Sequence, residues 1–130
     1  MTVKKWAATR SDLAAVGVVG SWARGAQIEE SDLDLILLTE HPSVYVEGDG
    51  WLAGFSPTAK PLGTSDWGAI VERRLVLPSG LEIEVGVGNP SWAATPVDPG
   101  TKAVVRDGLF ALYDPSGLLA ELAAACGESP

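Results

Sequence analysis

The chain has one cysteine, one histidine and few cations, and each scarcity excludes a class of function. A lone Cys126 cannot form an internal disulfide, and a lone His41 leaves no Cys/His set for a zinc centre. Nine Lys and Arg stand against seventeen Asp and Glu, a net charge of −8 with an isoelectric point near 4.4. That balance disfavours a long nucleic acid as the main partner, because phosphate-backbone affinity comes from cations that release counterions. Apolar runs such as LAAVGVVG and LLAELAAACG are too short to span a bilayer. The N-terminal MTVKKWAATRSD has no apolar signal-peptide core. The expectation is a cytoplasmic protein without a membrane partner. Chemistry is left to carboxylates, hydroxyls, Arg, Lys and the backbone.

What is present is an ordinary globular composition, 46% apolar and 20% charged, over a length that suits one domain spanning 1–130. VKKWAATR (3–10) reads as a short helix, and LAAVGVVG (13–20) as a buried strand ending at glycine. Ser21 is placed to N-cap a brief helix over 22–27. SDLDLILLTE (31–40) is a second strand whose later half is apolar on both faces, the pattern of a central strand covered on both sides. A helix is expected over roughly 43–54, although Gly48 and Gly50 oppose it. KPLGTSDWG reads as a connection with some strand character. AIVERRLVLPSGLEIEVGVG reads as a hairpin turning at PSG, with strands near 69–77 and 81–87. NPSWAATPVDPG is structureless by composition, LFALYD a last strand, and SGLLAELAAACG a terminal helix with Gly127 beyond it.

The chemistry concentrates in GSWARGAQIEESDLDL (20–35). Side chains at i and i+2 of a strand share a face, so Asp32 and Asp34 point together while Leu33 and Leu35 enter the core. Two carboxylates 4 Å apart repel by roughly 4 kcal/mol at an effective dielectric near 20. A divalent cation relieves that repulsion. Mg²⁺ takes one or two carboxylates and completes its shell with water and substrate phosphates, which makes a nucleoside triphosphate the natural third party. Upstream, Gly20 and Ser21 sit where a strand meets a helix start, a place that favours an anion. Gly20 permits close approach of a phosphate, Ser21 adds a hydroxyl donor, and Arg24 lies one turn in. No Walker loop occurs.

GSWARG followed by SDLDL resembles the signature of the nucleotidyltransferase superfamily related to DNA polymerase beta, in particular its small bacterial minimal nucleotidyltransferase (MNT-type) domains. Gly20, Ser21, Ala23, Arg24, Gly25, Ser31, Asp32, Asp34 and Leu35 match. The resemblance implies an α+β fold: a mixed twisted sheet with the acids on its central strands and helices covering it. It implies two Mg²⁺ ions held by Asp32, Asp34 and a third carboxylate on a later strand. It also implies transfer of a nucleoside monophosphate, AMP where the donor is ATP, to an acceptor hydroxyl with release of pyrophosphate. Gly20 and Ser21 would position the β- and γ-phosphates.

Glu82 and Glu84 both qualify as the third acid, since they share a face of their strand. The glycines after Glu84, Gly86 and Gly88, favour it by leaving room for a ligand. Many relatives carry aspartate at that position, where this chain has the longer glutamate. The acceptor is open among an aminoglycoside-like small molecule, a partner protein such as a toxin, and an RNA end, with the acidic charge counting against RNA. A second reading is a non-catalytic nucleotide-binding or antitoxin-like partner domain on the same fold. Elsewhere the expectations are structural. Trp6, Trp51, Trp67 and Trp92 read as core or groove-lining packing, and His41 as a loop residue. Arg73 and Arg74, on opposite strand faces, read as solvated or salt-bridging. Cys126 reads as lying at a frayed helix end.

Overall fold

The computed structural model describes residues 3–20, 33–94 and 97–127. Helix α1 (Val3–Ala8) leads into β1 (Leu13–Val19), and β2 (Leu33–Thr39) is followed by two short helices, α2 (Ser43–Val46) and α3 (Leu52–Phe55). Next come β3 (Lys60–Asp66), β4 (Ile70–Val76), β5 (Glu82–Gly88) and a 3₁₀ turn (Pro90–Ala93). Helix α4 (Pro99–Asp107), β6 (Leu109–Tyr113) and α5 (Leu118–Ala125) complete the order. The six strands of the described residues form one mixed sheet ordered β3-β4-β5-β2-β1-β6, in which, among those residues, only the central β2–β5 pair is parallel. This is the α+β architecture expected from the sequence.

Strand β2 shows why the sheet is covered twice. Leu35 and Leu37 point into one core with Trp6, Tyr45, Trp51 and Val85, while Ile36 and Leu38 point into another with Trp92, Val105, Leu119 and Leu122. A strand apolar on both faces stabilises only between two layers. The first core is closed by an aromatic cluster in which the Trp51 ring lies tilted or edge-on within 5.8 Å of Trp6, Tyr45 and Phe55. Burial pushes the Tyr45 phenol up to about 12, helped by its hydrogen bond to the neighbouring Asp12 carboxylate. The second core lies under α4, α5 and the 3₁₀ turn, and its open end is where the acids emerge.

Several local expectations need correction. The helix expected over 43–54 is split into α2 and α3 by residues 47–51, which include both glycines. Strand β3 is a full edge strand, although mostly exposed and carrying Pro61 beside a register shift; an edge tolerates both. The Pro-rich stretch read as structureless starts α4. Asp98 caps it by accepting from the backbone N–H of Gly100 at 2.9 Å and Thr101 at 3.4 Å, and Pro99 takes the first turn, where its missing donor costs nothing. Cys126 is 1% exposed within the second core, not frayed, because its backbone N–H closes the last turn of α5. Removing the α4 cap with Asp98→Ala is expected to lower stability by about 1 kcal/mol, read as a shift of the urea midpoint with unchanged slope. An unshifted midpoint would show that the first turn of α4 does not need the cap.

Candidate active site

One face of strands β1, β2, β4 and β5 lines a cleft of about 770 Å³. Asp34 on β2 and Glu84 on β5 are direct register partners in the parallel pair, so their side chains leave the same face next to each other. Both line the cleft, facing Trp92 of the 3₁₀ turn and Thr101 in the first turn of α4. Ile36 and Ile70 form its apolar floor.

Gly20 follows β1 with φ +76°, and a Cβ there would lie 2.9 Å from Asp34 Oδ2. Both the backbone conformation and the carboxylate against it require glycine. The sequence reading gave this room to a phosphate; on the Cβ side of Gly20 it is the Asp34 carboxylate that comes close. Ser21, Arg24 and Asp32, together with the brief helix over 22–27, lie outside the described residues.

Of the two glutamates left open, Glu84 lines the cleft beside Asp34, and Glu82 lies two residues back along the same face. Glu82 is engaged by Arg74, whose Nη2 lies 2.6 Å from Glu82 Oε1 and 3.5 Å from Glu84 Oε1. Gly86 itself lines the cleft, one same-face step from Glu84. A Cβ on Gly86 would meet Ile36 and Ile70 at 3.0 Å, and one on Gly88 would meet Ile70 at 2.6 Å. The glycines make room for those isoleucines and so shape the floor.

Glu72 is a cleft residue that the sequence reading missed. It pairs with Gly86 across β4–β5, one same-face step from Glu84. Burial raises its carboxyl above the usual range, and the negative charge of Glu84 adds to the shift. The signal was available. Counting back from the PSG turn, where Leu77 N–H bonds Leu81 O at 2.9 Å, places Arg74 opposite Glu84 and Glu72 on the same face as Arg74.

The remaining residues separate by face. Arg73, 6% exposed, points away from the cleft and donates to the Tyr45 and Gly48 carbonyls and to Asp49 at 2.7 Å, fastening the α2–α3 connection to β4. Trp6 and Trp51 are core residues, as expected, and Trp92 is both buried and cleft-lining. Trp67 is 70% exposed at the cleft rim, so it is groove-lining without being core. His41 is an exposed loop residue whose backbone N–H bonds Thr39.

Among the described residues no three Asp, Glu, His or Cys side chains converge as a metal cage. The donors that meet at the cleft are hard oxygens of the number and kind Mg²⁺ takes from a protein. Among the described residues no helix is long and apolar enough to cross a membrane. A family model described as a nucleotidyltransferase domain matches residues 1–76, more than half of the chain. The match includes β1, β2 and β4 and ends before Glu84. No curated protein matches the chain.

Proposed function

Because the chain belongs to the nucleotidyltransferase domain family, we propose that residues 1–130 act as one domain that transfers a nucleoside monophosphate, AMP when ATP is the donor, to an acceptor hydroxyl. The observation that carries this reading is the register pairing of Asp34 with Glu84 at the mouth of a cleft large enough for a nucleotide. Asp32, Asp34 and Glu84 would hold two Mg²⁺ ions. Bound there, the ions would neutralise phosphate charge and lower the pKa of the acceptor hydroxyl.

The chain's own groups do the rest. Gly20, Ser21 and Arg24 orient the β- and γ-phosphates, and the Ile36–Ile70 floor keeps bulk water from the reacting centre. Glu84, adjacent to Asp34, takes the acceptor's proton. The acceptor oxygen forms its bond to the α-phosphorus as the bond to the bridging oxygen breaks, and pyrophosphate leaves with that electron pair. Positioning and electrostatics supply most of the rate in such a reaction. The acceptor is a hydroxyl on a small molecule or a partner protein such as a toxin, since a net charge of −8 opposes a long nucleic acid.

One observation favours a second reading, a nucleotide-binding domain that does not transfer. Arg74 stands 3.5 Å from Glu84, the acid proposed to complete the site. Calorimetric titration with ATP, with and without Mg²⁺, followed by pyrophosphate release with cell extract as the acceptor source, separates the two. Transfer predicts Mg²⁺-dependent binding and release. Binding without release would favour the second reading, and no binding would overturn both.

A further inference from the structure

One face of the β4–β5 hairpin carries Glu72, Arg74, Glu82 and Glu84, three carboxylates around a single cation. Arg74 is the direct register partner of Glu84, yet its guanidinium reaches past that residue. The same nitrogen, Nη2, is 2.6 Å from Glu82 and 3.5 Å from Glu84, so the short charge-assisted bond is with Glu82. The three side chains are 42%, 35% and 25% exposed for Arg74, Glu82 and Glu84.

We infer that Arg74 is the resident counter-ion of the cleft carboxylates and that Glu82 is its anchor, not a cation ligand: Glu82 holds the guanidinium back from Glu84, leaving Glu84 to a divalent cation. The inference rests on the cation-site reading above. It assigns the two glutamates, indistinguishable by alternation, opposite tasks. Without Arg74 the face holds uncompensated like charges. Without Glu82 the nearest carboxylate left to Nη2 is Glu84, and a cation arriving there meets a guanidinium in its place. Arg74 and Glu82 are thus positioning residues that act through Glu84.

A double-mutant cycle on Mn²⁺ binding by the full-length protein, read from the free Mn²⁺ electron paramagnetic resonance signal, tests this without any turnover. Glu82→Gln is expected to weaken Mn²⁺ binding by about three- to thirtyfold, within the range of coupling between residues in one charge network. Arg74→Gln is expected to tighten it, and the double variant to bind as tightly as Arg74→Gln alone. Should Arg74→Gln fail to fold, Arg74→Met keeps the aliphatic stem and carries the same cycle. A loss from Glu82→Gln that persists unchanged in the Arg74 variant would make Glu82 a ligand and overturn the inference, as would Mn²⁺ affinity indifferent to Arg74. Failure of the unaltered protein to bind Mn²⁺ would overturn the cation site and the inference together, whereas binding without coupling overturns the inference alone.

Discussion

Asp34→Ala is expected to abolish Mg²⁺-dependent nucleotide labelling, by roughly a thousandfold or more, while the protein stays folded. The size follows from position. Asp34 is the described acid that touches both halves of the site: its carboxylate lies against Gly20 at the end of β1, and its register partner is Glu84 on β5. A group of this kind is stronger in the transition state than in the ground state, and removing even one preorganised electrostatic donor typically costs about 10²–10³ in rate. Losing a residue proposed to hold the cation that organises the phosphates is expected to cost at least as much. Asp34→Asn, which keeps shape and removes charge, is expected to show a comparable defect. The same outcome is expected for Asp32→Ala. Labelling assays with radiolabelled ATP and Mg²⁺, beside a thermal melt, check both positions. Unchanged labelling would remove the metal assignment.

The largest loss of stability is expected from Trp51→Ala. Trp51 is 2% exposed, contacts Trp6, Tyr45 and Phe55, and lies under Arg73 at 6.0 Å. Its indole N–H donates to the Tyr45 and Gly48 carbonyls at 3.2 and 3.0 Å, the same two carbonyls that hold Arg73. Truncation opens a cavity and leaves those carbonyls to Arg73 alone. A cost of about 3–5 kcal/mol is expected, a large part of the 5–15 kcal/mol typical of a domain. A thermal melt should show a fall of roughly 10–20 °C. Trp67→Ala, at an exposed rim, should move the melt little. Comparable losses from the two would contradict the assignment of core and rim.

The parts legible in the sequence are those whose contacts are local or whose patterning is unambiguous. DLILL announced a strand covered on both faces because adjacent apolar residues feed two separate cores. The hairpin followed from PSG, with Gly80 at φ +93° where a turn needs glycine. Helix α4 was hidden because Pro99 and Gly100 read as breakers, although a proline after an aspartate cap is a helix start. Strand β3 was half hidden because an exposed edge has no apolar period to show. At the site, alternation placed Glu82 and Glu84 on one face but could not choose between them. The choice depends on the register of β5 against β2, a parallel pairing between segments about fifty residues apart that no local rule sets. Glu72 was legible in principle, since hairpin register follows from the turn. The purpose of Gly86 and Gly88 was not, because Ile36 and Ile70 reach them from two other strands.

The most direct test of a divalent-cation site at Asp34 and Glu84 is anomalous scattering from a crystal of the protein soaked with Mn²⁺ and a non-hydrolysable ATP analogue. A manganese peak is expected at about 2.0–2.3 Å from carboxylate oxygens of both residues, with the triphosphate completing the shell. A nucleotide bound with no peak between Asp34 and Glu84, or a peak held by Glu82 instead, would contradict it.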